Sequence, residues 1–134
     1  MDTENILIPF CEHSSDLKPL YHAFALAERI RAKIFVLFFK NKARASNRVS
    51  LLEEACIDMV NRACEGGMSV SFHVTMDDFE EELLNIIKTE HIDLIVTGPG
   101  DTEMGSAIRG IKPKLVIQII EVKGKNNINS NEQR

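Results

Sequence analysis

The sequence lacks long hydrophobic runs. No apolar stretch approaches the ~18 residues that a membrane span requires. The longest strong one, Ile34-Phe35-Val36-Leu37-Phe38-Phe39, has the length of a strand. A membrane protein is therefore not expected. Cysteine is scarce as well. Three stand at positions 11, 56 and 64, with no CxxC spacing among them. That excludes a disulfide framework or a thiolate zinc site and fits a reducing, cytoplasmic setting. Basic charge is also short, with 16 Lys and Arg against 20 Asp and Glu, a net charge of −4. A general nucleic-acid binder needs a basic footprint, so none is expected. The acidic start, Met1-Asp2-Thr3-Glu4, does not read as a secretory leader. No GxSxG elbow occurs and no Walker lysine follows a glycine loop. His13, His22, His73 and His91 have no metal-ligand spacing, so no metal is expected.

What is present is an ordinary globular composition, 44% hydrophobic and 27% charged, which rules out a wholly disordered chain. A chain of 134 residues makes one domain. Residues 5–10, Asn-Ile-Leu-Ile-Pro-Phe, are continuously apolar after Asn5. Such a run fits a parallel strand covered on both faces. From Ser15 to Arg31, Leu17, Leu20, Tyr21, Phe24, Ala27 and Ile30 recur at three- and four-residue spacing. They predict an amphipathic helix, capped by Ser14 or Ser15 and carrying Pro19 in its first turn.

Lys33–Phe39 reads as the second strand and the basic segment 40–48 as a solvated loop. A second helix is predicted from Ser46 to Cys64. Its apolar face is Leu52, Ala55, Cys56, Met59, Val60 and Ala63, and Gly66-Gly67 stops it. Val70, Phe72 and Val74 alternate with Ser69, Ser71 and His73, the period-two pattern of an edge strand. Asp77-x-x-Glu80 opens a helix over 78–90, with Phe79, Leu83, Ile86 and Ile87 inward. Ile92–Thr97 is a fourth strand. Residues 101–106 read as a polar loop, 106–112 as a short helical segment and Lys114–Val122 as a fifth strand. The polar residues 123–134 are expected to be a disordered tail, leaving 1–122 as the domain.

The alternation of strands and helices predicts an α/β fold, an open five-stranded parallel sheet with helices on both faces. Ligands in such sheets bind beyond the carboxyl ends of strands, where strand order reverses. Two strand ends are chemically distinctive: Pro9-Phe10-Cys11-Glu12-His13-Ser14, and Gly98-Pro99-Gly100 followed by Gly105-Ser106.

Asn5-Ile6-Leu7-Ile8-Pro9, the Ala- and Leu-rich helix after it, Ile92-Asp93-Leu94-Ile95-Val96-Thr97-Gly98, and Gly105-Ser106 before a last apolar strand resemble the universal stress protein family. The resemblance covers residues 4–122. It implies a Rossmann-like fold of the adenine nucleotide α-hydrolase-like type, often dimeric, with ATP between strands one and four in many members. By this resemblance the candidate site residues are Pro9, Cys11, Phe39, Gly98, Gly100, Gly105 and Ser106. The sequence departs from the family's nucleotide motif. Cys11 stands where the family has an aspartate. Only Pro99 separates Gly98 from Gly100, and only residues 101–104 precede Gly105. Asp101 and Glu103 add charge that repels phosphate, and no cation follows until Arg109. The triphosphate site is thus expected to be eroded, with no cofactor held in the family manner.

Plainer readings stand beside these. Gly98-Pro99-Gly100 also suits a tight turn and Gly105-Ser106 a helix cap. Cys11, near Glu12 and His13 at a helix N-terminus, suits either a reactive thiol or a packing residue. Leu115–Ile120 is an apolar strand that, at a sheet edge, invites pairing with a second copy. The expectation is a homodimer through 114–122, a small ligand or protein partner, and a binding or regulatory module rather than an enzyme. The alternative is a weak nucleotide-binding or hydrolysing switch using the 98–106 loop.

Overall fold

The structure is a computed structural model that describes residues 4–11, 17–40, 51–76, 78–98, 102–111, 113 and 117–122. In chain order the elements are β1 (Glu4–Cys11), α1 (Lys18–Arg29), β2 (Ala32–Phe39), α2 (Leu51–Glu65), β3 (Ser69–Thr75), α3 (Phe79–Thr89), β4 (Leu94–Thr97), α4 (Thr102–Ile111) and β5 (Gln118–Glu121). All paired strands are parallel, in the order β3-β2-β1-β4-β5. The expected doubly wound α/β sheet is what forms.

The register explains the two kinds of apolar pattern. β1 pairs with β2 along its whole length, Glu4 opposite Ala32 through Cys11 opposite Phe39. With β4 on its other side, β1 is central, and Ile6 through Cys11 are buried. Alternate residues feed two separate cores. Ile6, Ile8, Phe10, Ile34, Val36, Phe38, Leu94 and Val96 pack with Leu20 and Ala23 of α1 and Cys56 and Val60 of α2. Leu7, Cys11, Leu37, Phe39 and Ile95 pack with Leu83, Ile86 and Ile87 of α3 and Ala107, Ile108 and Ile111 of α4. Each core lies between one face of the sheet and a pair of helices, so a central strand can carry no polar face.

Several expected details shift. Helix α1 starts at Lys18, with Leu17 at the N-cap and no side-chain cap. Ser14 and Ser15 lie outside the described residues. Pro19 falls in the first turn as expected, where its missing N–H costs no helical bond. Tyr21 is 62% exposed rather than part of the buried stripe, because it sits about 100° past Leu20 on the wheel. The cap of α3 lies one residue later than expected: the Asp78 carboxylate accepts from the Glu81 N–H at 3.1 Å. Gly66 and Gly67 do end α2. Gly67 has a φ of 96°, and the Met68 N–H returns to the Ala63 carbonyl.

The larger correction concerns α4. It begins at Thr102, so 102–106 is helix and not the polar loop expected there. Gly105 and Gly110 lie inside this helix, where each costs only ~1 kcal/mol. Ala107, Ile108 and Ile111 share one side of the helix and are buried against α3 and β1. Burying one such side chain is worth ~1.5–3 kcal/mol, which outweighs the glycines. The described part of the fifth strand is shorter than 114–122. Residues 114–116, most of the basic segment 40–48, and the tail 123–134 lie outside the described residues.

At the amino end of the sheet, Asn5 ties β1 to the turn before β4. Its side chain donates to the Glu90 carbonyl at 2.9 Å and the His91 carbonyl at 3.2 Å. Its backbone N–H meets the Asp93 carboxylate at 2.9 Å, and the Asp93 N–H returns to the Asn5 carbonyl. His91 takes the left-handed conformation at φ 53° that ends α3.

Candidate functional site

Strand order reverses between β1 and β4, so the carboxyl ends of these two strands define the crevice in which this sheet type binds ligands. Pairing of β1 with β4 covers only Ile6 opposite Leu94 and Leu7 opposite Ile95. In a parallel strand, alternate residues turn both backbone groups toward the same neighbour. The Asn5 carbonyl accepts from Asp93, so the backbone groups of Asn5, Leu7 and Pro9 face β4. Pro9 has no N–H to donate there. The ladder to β4 ends after Leu7, and Pro9 supplies the chemical reason.

Cys11 and Phe39 are register partners at the ends of β1 and β2. Cys11 is 2% and Phe39 1% exposed, and both belong to the core beneath α3 and α4. The Phe39 ring stands 4.2 Å from that of Phe79, tilted by 45°. Both side chains are thus part of the buried core at this end of the sheet. No disulfide links the three cysteines, and Cys64 is the exposed one.

Gly98, just past β4, leaves no room for a side chain. A Cβ there would stand 2.9 Å from Cγ of Pro19. The glycine thus lets β4 run up against the first turn of α1. Next to it, Thr97 is buried, and its hydroxyl donates to the Gly98 carbonyl at 3.5 Å, a weak contact.

Gly105 and Ser106 lie in the second turn of α4, not ahead of it. Only first-turn N–H groups of a helix are left over for an anion, so these two backbone donors are used within the helix. The Ser106 hydroxyl accepts from Arg109 at 3.5 Å. The Arg109 guanidinium folds back over Gly105, 3.4 Å from where a Cβ would be. Both Ser106 and Arg109 are exposed. Gly100 and Pro99 lie outside the described residues, as do Glu12 and His13. The structure thus brings Cys11 and Phe39 together, sets Gly98 against α1, and puts Gly105 and Ser106 in the second turn of α4.

A charged pair flanks this end of the sheet that sequence reasoning missed. Lys40, following β2, reaches the Glu53 carboxylate of α2 at 3.0 Å, with 12% and 6% of the two side chains exposed. Twelve residues separate the partners in sequence, and no periodicity couples them. Pro19 opposite Gly98 is likewise a contact that no local pattern signals. Below the pair, burial first and Glu53 second push the Cys56 thiol up to about 12. Cys56 is therefore a neutral thiol and a poor nucleophile. Among the described residues, no group of three His, Cys, Asp or Glu is placed to hold a metal, and no helix is long and apolar enough to cross a membrane.

No family model and no curated protein sequence matches the chain. Solved structures do match. A universal stress protein from Archaeoglobus fulgidus in complex with dAMP superposes with a TM-score of 0.64 at 15% identity, over 92% of this chain and 100% of that one. A universal stress protein family member from Arabidopsis thaliana with AMP bound gives 0.55 at 16% identity, over 98% and 99%. UspA from Lactobacillus plantarum gives 0.54 at 16% identity, over 91% and 99%. The similarity spans nearly the whole length of each partner and includes the same α/β architecture: this chain has the fold of the universal stress proteins.

Proposed function

We propose that the chain is a universal-stress-type binding and regulatory module that does not hold ATP in the manner of the family's nucleotide binders. One observation carries the reading: the crevice-end residues are engaged by the protein itself. Cys11 and Phe39 are core, and the open side of Gly98 is filled by Pro19. Only residues 99–101 separate Gly98 from α4, too short a connection to wrap a triphosphate. The placement of Gly105 and Ser106 in the second turn of α4 supports the same conclusion. The homodimer belongs to this proposal, with β5 as an end strand of the sheet among the described residues as its supporting observation.

A second reading has its own support. Relatives in fold were solved with dAMP and with AMP, and the ladder between β1 and β4 stops at Leu7 and Ile95, at the switch point where such sheets take ligands. The segment 98–106 is no single flexible loop in that case, since its second half is helix.

Thermal unfolding with ATP and magnesium, AMP, dAMP and adenosine separates the two. A ligand at ~100 times its Kd stabilises the native state by ~2.7 kcal/mol. No change of Tm with millimolar ATP and magnesium supports the first reading. A shift with AMP and dAMP that is absent with adenosine favours the second, because it requires the phosphate.

A further inference from the structure

Among the described residues the sheet has two unpaired ends, β5 and β3, and the β3 sequence carries none of the usual guards. Proteins protect exposed edges with charges, prolines, bulges or short strands. From Ser69 to Met76 there is no lysine, arginine, aspartate, glutamate or proline. β3 pairs with β2 without interruption, Lys33 opposite Ser69 through Phe39 opposite Thr75, so it has no bulge. It runs seven residues against four for β5.

The direction of its free groups follows from one hydrogen bond. The Thr75 carbonyl accepts from the Lys40 N–H, so the odd-numbered residues face β2. Val70, Phe72 and Val74 therefore turn their N–H and C=O groups outward. The Cys64 thiol reaching the Val70 carbonyl at 3.3 Å agrees with this. Among the described residues no strand pairs with that side.

The sequence of the edge fits itself in reverse. Laid antiparallel about Phe72, Val70 meets the partner's Val74, Ser71 meets the partner's His73, and Ser69 meets the partner's Thr75. Apolar side chains fall on one face and polar ones on the other. Phe72 is part-buried against the core while Val74 is 44% exposed and Met76 46% exposed, so a partner has apolar surface to cover. No lysine, arginine or carboxylate in the strand would oppose a like charge. On α2, the side that carries Cys64 toward this edge also carries Ile57 and Asn61, with the charged Glu54 and Asp58 beside them.

We propose that the β3 edge is a self-association surface whose occupant is the β3 strand of a second copy of this chain, paired antiparallel across a two-fold axis at Phe72. Outward N–H groups of Val70, Phe72 and Val74 then donate to the carbonyls of the partner's Val74, Phe72 and Val70. This surface is separate from β5 at the opposite end of the sheet. A chain using both joins copies into assemblies larger than a dimer.

The test is sedimentation of the full chain across micromolar concentrations, with Val74→Lys, Val74→Thr and Glu121→Pro. Val74 is an exposed edge position where lysine is the guard that natural sheets use. The expected result is a halving of the assembled mass in Val74→Lys, wild-type assembly in Val74→Thr, and retained concentration-dependent association in Glu121→Pro. Hydrogen exchange of wild type gives a check that needs no variant, with the Phe72 and Val74 amides protected when concentrated and exchanging on dilution. A Val74→Lys protein that sediments as wild type, or amides whose exchange ignores concentration, would overturn the proposal.

Discussion

Gly98 sits against Pro19 so closely that an added Cβ would lie 2.9 Å from the proline ring. This contact joins the end of β4 to the first turn of α1 and sets how near the two approach at the switch point. Gly98→Ala should destabilise the fold by ~1–3 kcal/mol, the range for overpacking. Pairing it with Pro19→Ala should recover part of that loss. Urea midpoints of the single and double variants check both, with nonadditivity as the signature of contact.

The Lys40–Glu53 pair is buried, so its partners are not interchangeable with surface charges. Lys40→Met leaves the carboxylate without its ammonium and should cost ~3–5 kcal/mol. Replacing both, as Lys40→Met with Glu53→Leu, should restore most of the stability. Chemical denaturation of the three proteins decides, and an unchanged midpoint for Lys40→Met contradicts the burial of the pair.

Cys56 makes a pH prediction. Its folded pKa is raised from the ordinary 9.0 to about 12, chiefly by burial. Above the unfolded pKa the unfolded chain loses the proton that the native thiol retains, so the unfolded state binds fewer protons. Stability contributed by the neutral thiol is present below 9.0 and falls as pH rises toward about 12. The limiting slope is ~1.4 kcal/mol per pH unit. Cys56→Ala should flatten the decline relative to wild type in this window. In native labelling at neutral pH, Cys64 should react well before Cys56 and Cys11, as their burial dictates.

Asn5 bridges β1 to two carbonyls at the α3–β4 turn. Asn5→Ala should cost ~1–2 kcal/mol, with two carbonyls left to water and one long-range tie removed. Hydrogen exchange should then speed up first in the turn at 90–93. An effect no larger than that of a neutral surface change would mean that the tie contributes nothing.

Much of the fold was legible because its signals are local and repeated. Ile6 to Phe10 and Ile34 to Phe39 are apolar on both faces, which only a covered parallel strand tolerates. The alternation at Ser69–Val74 marked an edge, and β3 is one. The site was less legible. The polar run 101–106 read as loop, yet α4 begins at Thr102, because its helix is held by Ala107, Ile108 and Ile111, which are buried only once α3 and β1 pack against them. Cys11 and Phe39 could be placed at strand ends, but their burial depends on α3 and α4 closing over them. Pro19 against Gly98 and Lys40 against Glu53 are tertiary contacts with no periodicity to announce them.

What binds at the carboxyl ends of β1 and β4 decides whether the chain holds ATP in the family manner. Calorimetric titration of the native chain with ATP and magnesium is the most direct measurement. With three residues between Gly98 and α4, and Gly98 against Pro19, no saturable heat is expected at millimolar nucleotide. Saturable one-to-one binding that Gly98→Ala abolishes in a protein still folded by circular dichroism would contradict this expectation.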